Sequence, residues 1–378
     1  LYVSYTGASA RDDTVQPPSV VVSELLEEID ALTRDPNRSA TLTVRHPLQP
    51  FSKRYFDGSA GLFSYAEEMV PPKTVSEEDI PPLFEAALEA PEPGDLPLDQ
   101  LVDFLANPAR ALLKGRLNIA LEPGAALLSV REPMALDPRG RRALERDALV
   151  AQLSAEECAC FIERSRLGGA LPSGTPGVLA AQQAWTQAAP VITHLAPLLN
   201  NEPGQTLAVE TTLDGWRLNG LLENVGPSGQ VLWSVDALSP WVMLRAWCAH
   251  LLLNTDPAAP SHQTHLVDAV GVIRFPAQED AAAKLGGLVE LYRDGLCRPV
   301  PFFPRSAWAY VTAAKTPLAN ARRIWTASDH AFAVGESADP FFALAFRDRL
   351  ETALDSEFES LAAQVFGTPA QMVQEARG

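Results

Sequence analysis

Hydrophobic positions change period several times along the chain, and each change marks an element. At the start Leu1, Val3 and Tyr5 alternate, the period of a strand, ahead of a turn at Gly7. In PPSVVVSELLEEIDAL the spacing becomes helical. Val20, Val21, Leu25, Leu26, Ile29 and Leu32 fall near helical positions, Pro17 and Pro18 precede them, and Ser19 stands at the N-cap. A strand followed by a helix reads as the end of an α/β layer. From Thr33 to about Pro97 the periodicity dissolves into segments such as HPLQPFSKRYF and APEPGDLP, rich in proline and acid. Phe51, Tyr55, Phe56, Phe63 and Tyr65 are aromatic anchors that would lay such a linker along a surface.

An amphipathic helix opens at Leu98. Leu101, Val102, Leu105, Ala109, Leu112, Leu113 and Leu117 continue its apolar face, and Pro108 must kink or split it because a proline nitrogen has no proton to donate. Helical patterns follow over residues 141–167 and 177–199. The period then falls to two over 207–213, 216–225 and 230–235. Asp214-Gly215 and Gly226-Pro227-Ser228-Gly229 separate these runs, which predicts a three-stranded antiparallel meander. Pro240 starts a helix through Val242, Leu244, Trp247 and Leu251, residues 265–275 supply one or two strands, and Leu285, Leu288, Val289, Tyr292 and Leu296 mark another helix. RPVPFFP then leads into a mainly helical tail. The fold class is α/β (α+β), with a central mixed sheet flanked by helices, and no internal repeat is visible.

Hydrophobic residues make up 47% of the 378, enough for a substantial core, while 32 prolines call for long connections. A formal charge of -17 argues against a protein that coats DNA by itself. Cys158, Cys160, Cys248 and Cys297 are too sparse for a disulfide framework and read as buried cytosolic thiols. No apolar run reaches the roughly 18–20 residues of a membrane span, and LYVSYTG has neither the charged nor the apolar region of a signal peptide. Lys73-Thr74 and Lys315-Thr316 lack the glycine pattern of a phosphate loop, and no Gly-x-Ser-x-Gly or His-Glu-x-x-His occurs. His262 and His265 form a His-x-x-His in a predicted loop without a third ligand, which favours a solvated pair over a metal site. His46, His194, His250 and His330 are scattered and read as structural.

The predicted meander matches one catalytic layout. Nucleases of the PD-(D/E)xK class carry an Asp on one strand and (Asp or Glu)-x-Lys on the next; the acids hold Mg²⁺ and the Lys positions or activates the attacking water. Residues Leu218–Val225 resemble the Gly-x-Ile-Asp-Arg-Ile strand of RecB-like nucleases, with Glu223 at the metal-binding acid. Val231–Ala237 takes the place of Val-Asp-Tyr-Lys-Thr-Gly, with Asp236 as its one acid and no Lys after it. The lysines are Lys53, Lys73, Lys114, Lys284 and Lys315, so none lies between 115 and 283. Arginine is a poor substitute, because its high pKa and planar fork suit neither proton transfer nor a compact contact with water. Leu244 and Trp247 stand where active relatives carry a Gln and a Tyr. The favoured reading is a nuclease scaffold without its catalytic set. The alternative is a divergent Mg²⁺-dependent DNA nuclease using Glu210, Glu223 and Asp236.

Four blocks in register resemble the RecC family, the gamma subunits of exodeoxyribonuclease V. Leu1–Leu25 looks like the family's Leu-Tyr-Ile-Ser-Tyr-x-Gly block, a decayed form of the last helicase motif of UvrD-like proteins. Arg45–Phe56 with Phe63–Glu68, Glu290–Tyr310 and Gly335–Arg347 complete the set. The resemblance implies a C-terminal fragment of three parts. Residues 1–35 would end an inactive UvrD-like helicase domain, 36–97 form the Pro-rich linker, and 98–378 form a degenerate PD-(D/E)xK restriction-endonuclease-like domain with a helical tail. It also implies a non-catalytic role in the bacterial cytoplasm: scaffolding RecB-like and RecD-like subunits and helping to guide and split duplex DNA during double-strand-break repair. Mg²⁺ and ATP would then belong to the partner subunits, with no cofactor here and no membrane contact. Ala8-Ser9-Ala10 stand where active motors place the motif's arginine, so γ-phosphate sensing is not expected.

Arg110, Lys114 and Arg116 are the DNA-binding candidates, set against the blander reading that they complement a helix C-terminus. Trp233, Trp241 and Trp247 read as core in preference to base-stacking residues. Phe302, Phe303 and Trp308 read as packing or subunit-interface anchors, and Arg139, Arg141, Arg142 and Arg146, interleaved with acids, as a solvated helix face.

Overall fold

The computed structural model describes residues 2–9, 14–58, 61–70, 83–121, 134–169, 171–199, 204–235, 238–326 and 334–377. The chain divides into two units, Leu1–Ile80 and Pro81–Gly378. Leu1, Ala10, Lys73-Thr74, Asp236 and His330 lie outside the described residues.

In the first unit the helical spacing after Ser19 forms α1, Val20–Thr33, closed by Arg34 in the left-handed region at φ 54°. Helix α2, Arg38–Leu42, is tied to α1 through the Asp30 carboxylate, which accepts from the Ser39 amide at 2.6 Å and hydroxyl at 2.7 Å. The strand expected at the start does not form: residues 2–7 carry none, and the nearby pairing is a single bridge between Ala8 and Val15. Tyr2 is 86% exposed. Alternation needs a neighbouring strand and a face to bury, and among the described residues this segment has neither. Helix α1 buries no residue, and Leu62 is the unit's one buried hydrophobic side chain among the described residues. Of the linker aromatics, Phe51, Phe63 and Tyr65 are exposed, while Tyr55 stacks on His46.

The second unit is built on a six-stranded mixed sheet. Its first strand, β1 (Asp95–Pro97), leads directly into α3 (Leu98–Ala106). Pro108 splits the long amphipathic pattern as its missing N–H demands. Asn107 caps the next turn by accepting from the Arg110 amide at 2.9 Å, and α4 (Pro108–Arg110) continues as a π-helical stretch over Ala111–Arg116. Three helices, α5 (Pro138–Leu153), α6 (Cys158–Leu167) and α7 (Thr175–Leu199), precede β2 (Gln205–Leu213), β3 (Trp216–Gly226) and β4 (Gly229–Trp233). Asp214 and Gly215, both at positive φ, make the tight β2–β3 turn. After α8 (Pro240–Leu253), whose N-terminus is capped by the Ser239 hydroxyl, come β5 (Thr264–Val267), β6 (Val272–Phe275) and α9 (Ala281–Gly295). Helices α10 (Pro304–Val311), α11 (Pro317–Trp325), α12 (Pro340–Ala345) and α13 (Ser356–Arg377) form the tail.

The register departs from a simple meander. Strand β2 pairs antiparallel with β3 along most of its length, but β4 meets β3 at only Val225–Gln230 and Gly226–Gly229. Strand β1 runs parallel to the other end of the same β3 edge, opposite Arg217–Asn219, and β4 turns away to pair in parallel with β5. One sheet face packs against α3, α8, α9 and the tail helices, and α8 is buried at ten of its fourteen positions. The other face is covered by α5–α7 through Val231 on β4 and Val267 on β5. Over β2 and β3 it carries exposed side chains, Ala208, Glu210, Leu221 and Glu223 among them.

Three local expectations are corrected. His265 is not in a solvated loop but on β5 at 7% exposure. Of the cysteines only Cys248 is fully buried, its thiol pushed up to about 12 by burial, whereas Cys160 is exposed on a helix surface. Trp241 is half exposed at the start of α8, while Trp247 is core.

Candidate functional site

Where β3 and β4 diverge, the sheet opens into a cleft of about 970 Å³. Its walls come from β1–β4, from Leu98 and Asp99 on α3, and from Arg245 and Ala249 on α8. Gly220 lets the helices approach: a Cβ there would meet Leu252 Cδ2 and Leu98 Cβ at 3.0 Å. Arg245 and Ala249 are one helical turn apart, so they share the α8 face that looks into the cleft. Leu244 and Trp247 lie on other faces, at 0% and 2% exposure in the core, and do not line it.

The charged groups are mixed. Arg217 makes a bidentate pair with Asp95, both contacts 2.6 Å, and these hydrogen bonds hold the Asp95 carboxyl below its usual range. Arg245 donates to Asp99 at 3.0 Å. Glu210 and Glu223 line the same cleft, are exposed, and make no ion pair among the described residues. Gln230 is the buried polar group: at 1% exposure its Nε2 reaches the Glu223 carbonyl at 3.4 Å, and its Oε1 has no partner.

The β3–β4 pairing stops at Val225–Gln230, where Asn224 at positive φ and a register shift in the β2–β3 ladder interrupt β3, so no β4 residue pairs with Glu223. Both Glu223 and Leu232 line the cleft. Among the described residues no three His, Cys, Asp or Glu side chains converge as a metal site requires. His262 and His265 donate from Nε2 to separate carbonyls, Asp256 and Ser228.

Arg110, Lys114 and Arg116 are not brought to this cleft. The Arg110 guanidinium lies over the Phe341 ring at 5.9 Å, Lys114 has its own contacts, and Arg116 donates to the Glu89 carbonyl. A second cavity of about 710 Å³ lies beside Trp241, Leu244 and Phe342. There Glu336 of the Gly335–Arg347 block caps α10, accepting from the Arg305 amide at 2.9 Å and from the Ser306 amide and hydroxyl at 2.7 Å. Burial pushes its carboxyl pKa up. Sequence reasoning missed Asp95, Asp99, Arg217, Arg245 and Gln230. The ion pairs span 122 and 146 residues and leave no local pattern. Gln230, a lone amide in an apolar strand, is the one member that carried a signal.

Residues 93–315 match the family described as "RecC C-terminal domain". The chain is similar to "RecBCD enzyme subunit RecC" of Escherichia coli, 28% identical over 332 residues, covering 82% of this chain and 28% of that protein. It is similar to the Mycobacterium tuberculosis protein of the same name, 26% identical over 348 residues, covering 86% of this chain and 31% of that one. The Mycolicibacterium smegmatis protein is 24% identical over 330 residues, 83% of this chain and 30% of its own length. The chain thus spans less than a third of the length of these curated relatives.

Proposed function

Because the chain belongs to the RecC C-terminal domain family, we propose that it is a non-catalytic part of a RecC subunit of exodeoxyribonuclease V. In this reading it scaffolds RecB and RecD and helps guide and split duplex DNA during double-strand-break repair in the bacterial cytoplasm. Residues 98–378 are a degenerate PD-(D/E)xK-like domain. Residues 1–35 end a UvrD-like motor remnant, and 36–97 are the linker between them. Mg²⁺ and ATP belong to the partner subunits.

The observation that supports the non-catalytic reading is the lining of the cleft. A metal-dependent nuclease needs a second carboxylate from the neighbouring strand and a lysine beside it; among the described residues β4 brings Gln230 and Leu232 to the cleft, and no lysine lines it. Co-expression of this chain with full-length RecB and RecD tests the assembly: both should be retained with it through affinity purification, and clean loss of both would refute the scaffold role. Incubation with single-stranded DNA and Mg²⁺ or Mn²⁺ tests the catalytic part. No cleavage is expected, whereas cleavage that disappears in Glu223→Ala would establish the divergent nuclease instead. Arg110, Lys114 and Arg116 remain proposed phosphate contacts. Replacing all three with Ala should weaken DNA binding by the assembled complex and flatten its salt dependence.

A further inference from the structure

We propose that the cleft between β3 and β4 is a docking site for an extended, Lys- or Arg-bearing segment of a partner protein, seated along the open edge of β3. The inference deepens the function proposed above and rests on it for the cleft being non-catalytic.

Three independent features converge on this occupant. The first is the edge. Strand β1 covers β3 as far as Asn219 and β4 begins at Val225, so among the described residues no strand lies against positions 220–224 on that side. The Arg217 amide donates across this edge to the Gly94 carbonyl at 2.9 Å, and the Glu223 carbonyl receives Gln230 from the same side. Alternation along a strand therefore turns the N–H and C=O of Leu221, four residues after Arg217, toward the gap. Five residues of strand span about 16 Å, room for a short extended segment to add to the sheet.

The second feature is charge. The cleft holds Asp95, Asp99, Glu210 and Glu223 against Arg217 and Arg245. Both arginines are engaged by Asp95 and Asp99. The surplus lies on Glu210 and Glu223, which repels a phosphate backbone and attracts ammonium or guanidinium groups.

The third feature is Gln230. Its side chain lines the cleft at 1% exposure with the Oε1 acceptor unsatisfied. A buried acceptor without a donor is destabilising. Lysine and arginine bring donors and no acceptors, so basic side chains spaced along the segment complement the two carboxylates and, beside Glu223, the amide oxygen of Gln230.

Fluorescence anisotropy on the 378-residue chain, in EDTA and low salt, tests this with three labelled probes: a nonapeptide of alternating Arg and Thr, its Glu-Thr counterpart, and a (dT)₁₅ oligonucleotide. The Arg-Thr peptide should bind and the Glu-Thr peptide should not. Glu210→Gln and Glu223→Gln should each weaken binding roughly tenfold, the loss of one charge-assisted contact. Leu221→Arg, which puts a cation at the exposed mouth, should abolish it. Glu351→Gln, remote from the cleft, controls for attraction to the chain's overall charge and should leave affinity within about twofold. Equal weakening by Glu351→Gln, indifference to the three cleft variants, displacement of the peptide by (dT)₁₅, or self-association of the chain at the cleft would each overturn the proposal. Because EDTA removes divalent metal, the result is independent of whether the cleft can cleave DNA, and retention of RecB and RecD is measured separately.

Discussion

At the scale of single residues, buried polar groups report most on what holds the second unit together. His250, at 0% exposure on α8, is fixed in one neutral tautomer: Nε2–H donates to the Pro276 carbonyl at 3.1 Å, which leaves Nδ1 to accept from the Thr264 hydroxyl at 2.9 Å. Burial lowers its pKa to about 4, and the nearby Lys284 and His262 push the same way. Between that value and the unfolded value of about 6.5 the unfolded chain binds a proton that the folded chain does not. Stability is therefore complete above about pH 6.5 and falls as pH drops toward 4, by on the order of 3 kcal/mol in all. Urea unfolding followed by circular dichroism should show a lower midpoint at pH 5 than at pH 7. In His250→Gln the pH 7 midpoint should fall and the difference between the two pH values should shrink; an undiminished difference would assign the effect to another group. Gly220 makes a steric prediction. A methyl group at 3.0 Å from Leu98 and Leu252 must displace one of them, so Gly220→Ala should cost about 1–3 kcal/mol in the same assay.

At the scale of elements, the tail helices are positioned by polar contacts that reach across the chain. Glu336 satisfies two backbone donors at the start of α10 and the Ser306 hydroxyl from thirty residues away. Glu336→Ala strands those donors in the interior and should lower stability by roughly 1–3 kcal/mol, whereas Glu336→Gln, which keeps one acceptor oxygen, should lose less. The helices and hairpins were legible because their information is local: Pro108 splits a helix, Asp214-Gly215 makes a turn, and the leucines of α3 recur with helical period. The sheet was legible only in part. Antiparallel hairpins announce themselves by a turn, but β1–β3 and β4–β5 are parallel pairs between distant segments, and no short motif encodes them. That is why the divergence of β3 from β4 was absent from the sequence reading, and with it Arg245, Asp99 and the open edge. Glu223 was found because it sits inside a recognisable strand motif. Linear position puts Leu244 and Trp247 where active relatives carry a Gln and a Tyr, but the faces of α8 that they occupy are turned into the core.

At the scale of the molecule, the two units differ in what they can bury. The second contains almost the whole core, fed by both sheet faces and by clustered aromatics such as Phe303 against Trp325, Phe342, Phe346 and Phe358. The first leaves Val20, Val21 and Leu32 of α1 exposed and buries Leu62 alone among its described hydrophobic residues. A helix of fourteen residues with no apolar face covered is marginal in water, because tertiary burial and not propensity supplies most helix stability in proteins. The amphipathic spacing of α1 is thus a pattern that finds no burying partner among the described residues. Two outcomes are expected. A chain of residues 81–378 should melt within about 2 °C of the full chain, the shift that roughly 1 kcal/mol makes in a domain of this size. A peptide of residues 1–80 alone should show no cooperative thermal transition by circular dichroism. A cooperative melt of that peptide, or a large loss of Tm on its removal, would refute these expectations.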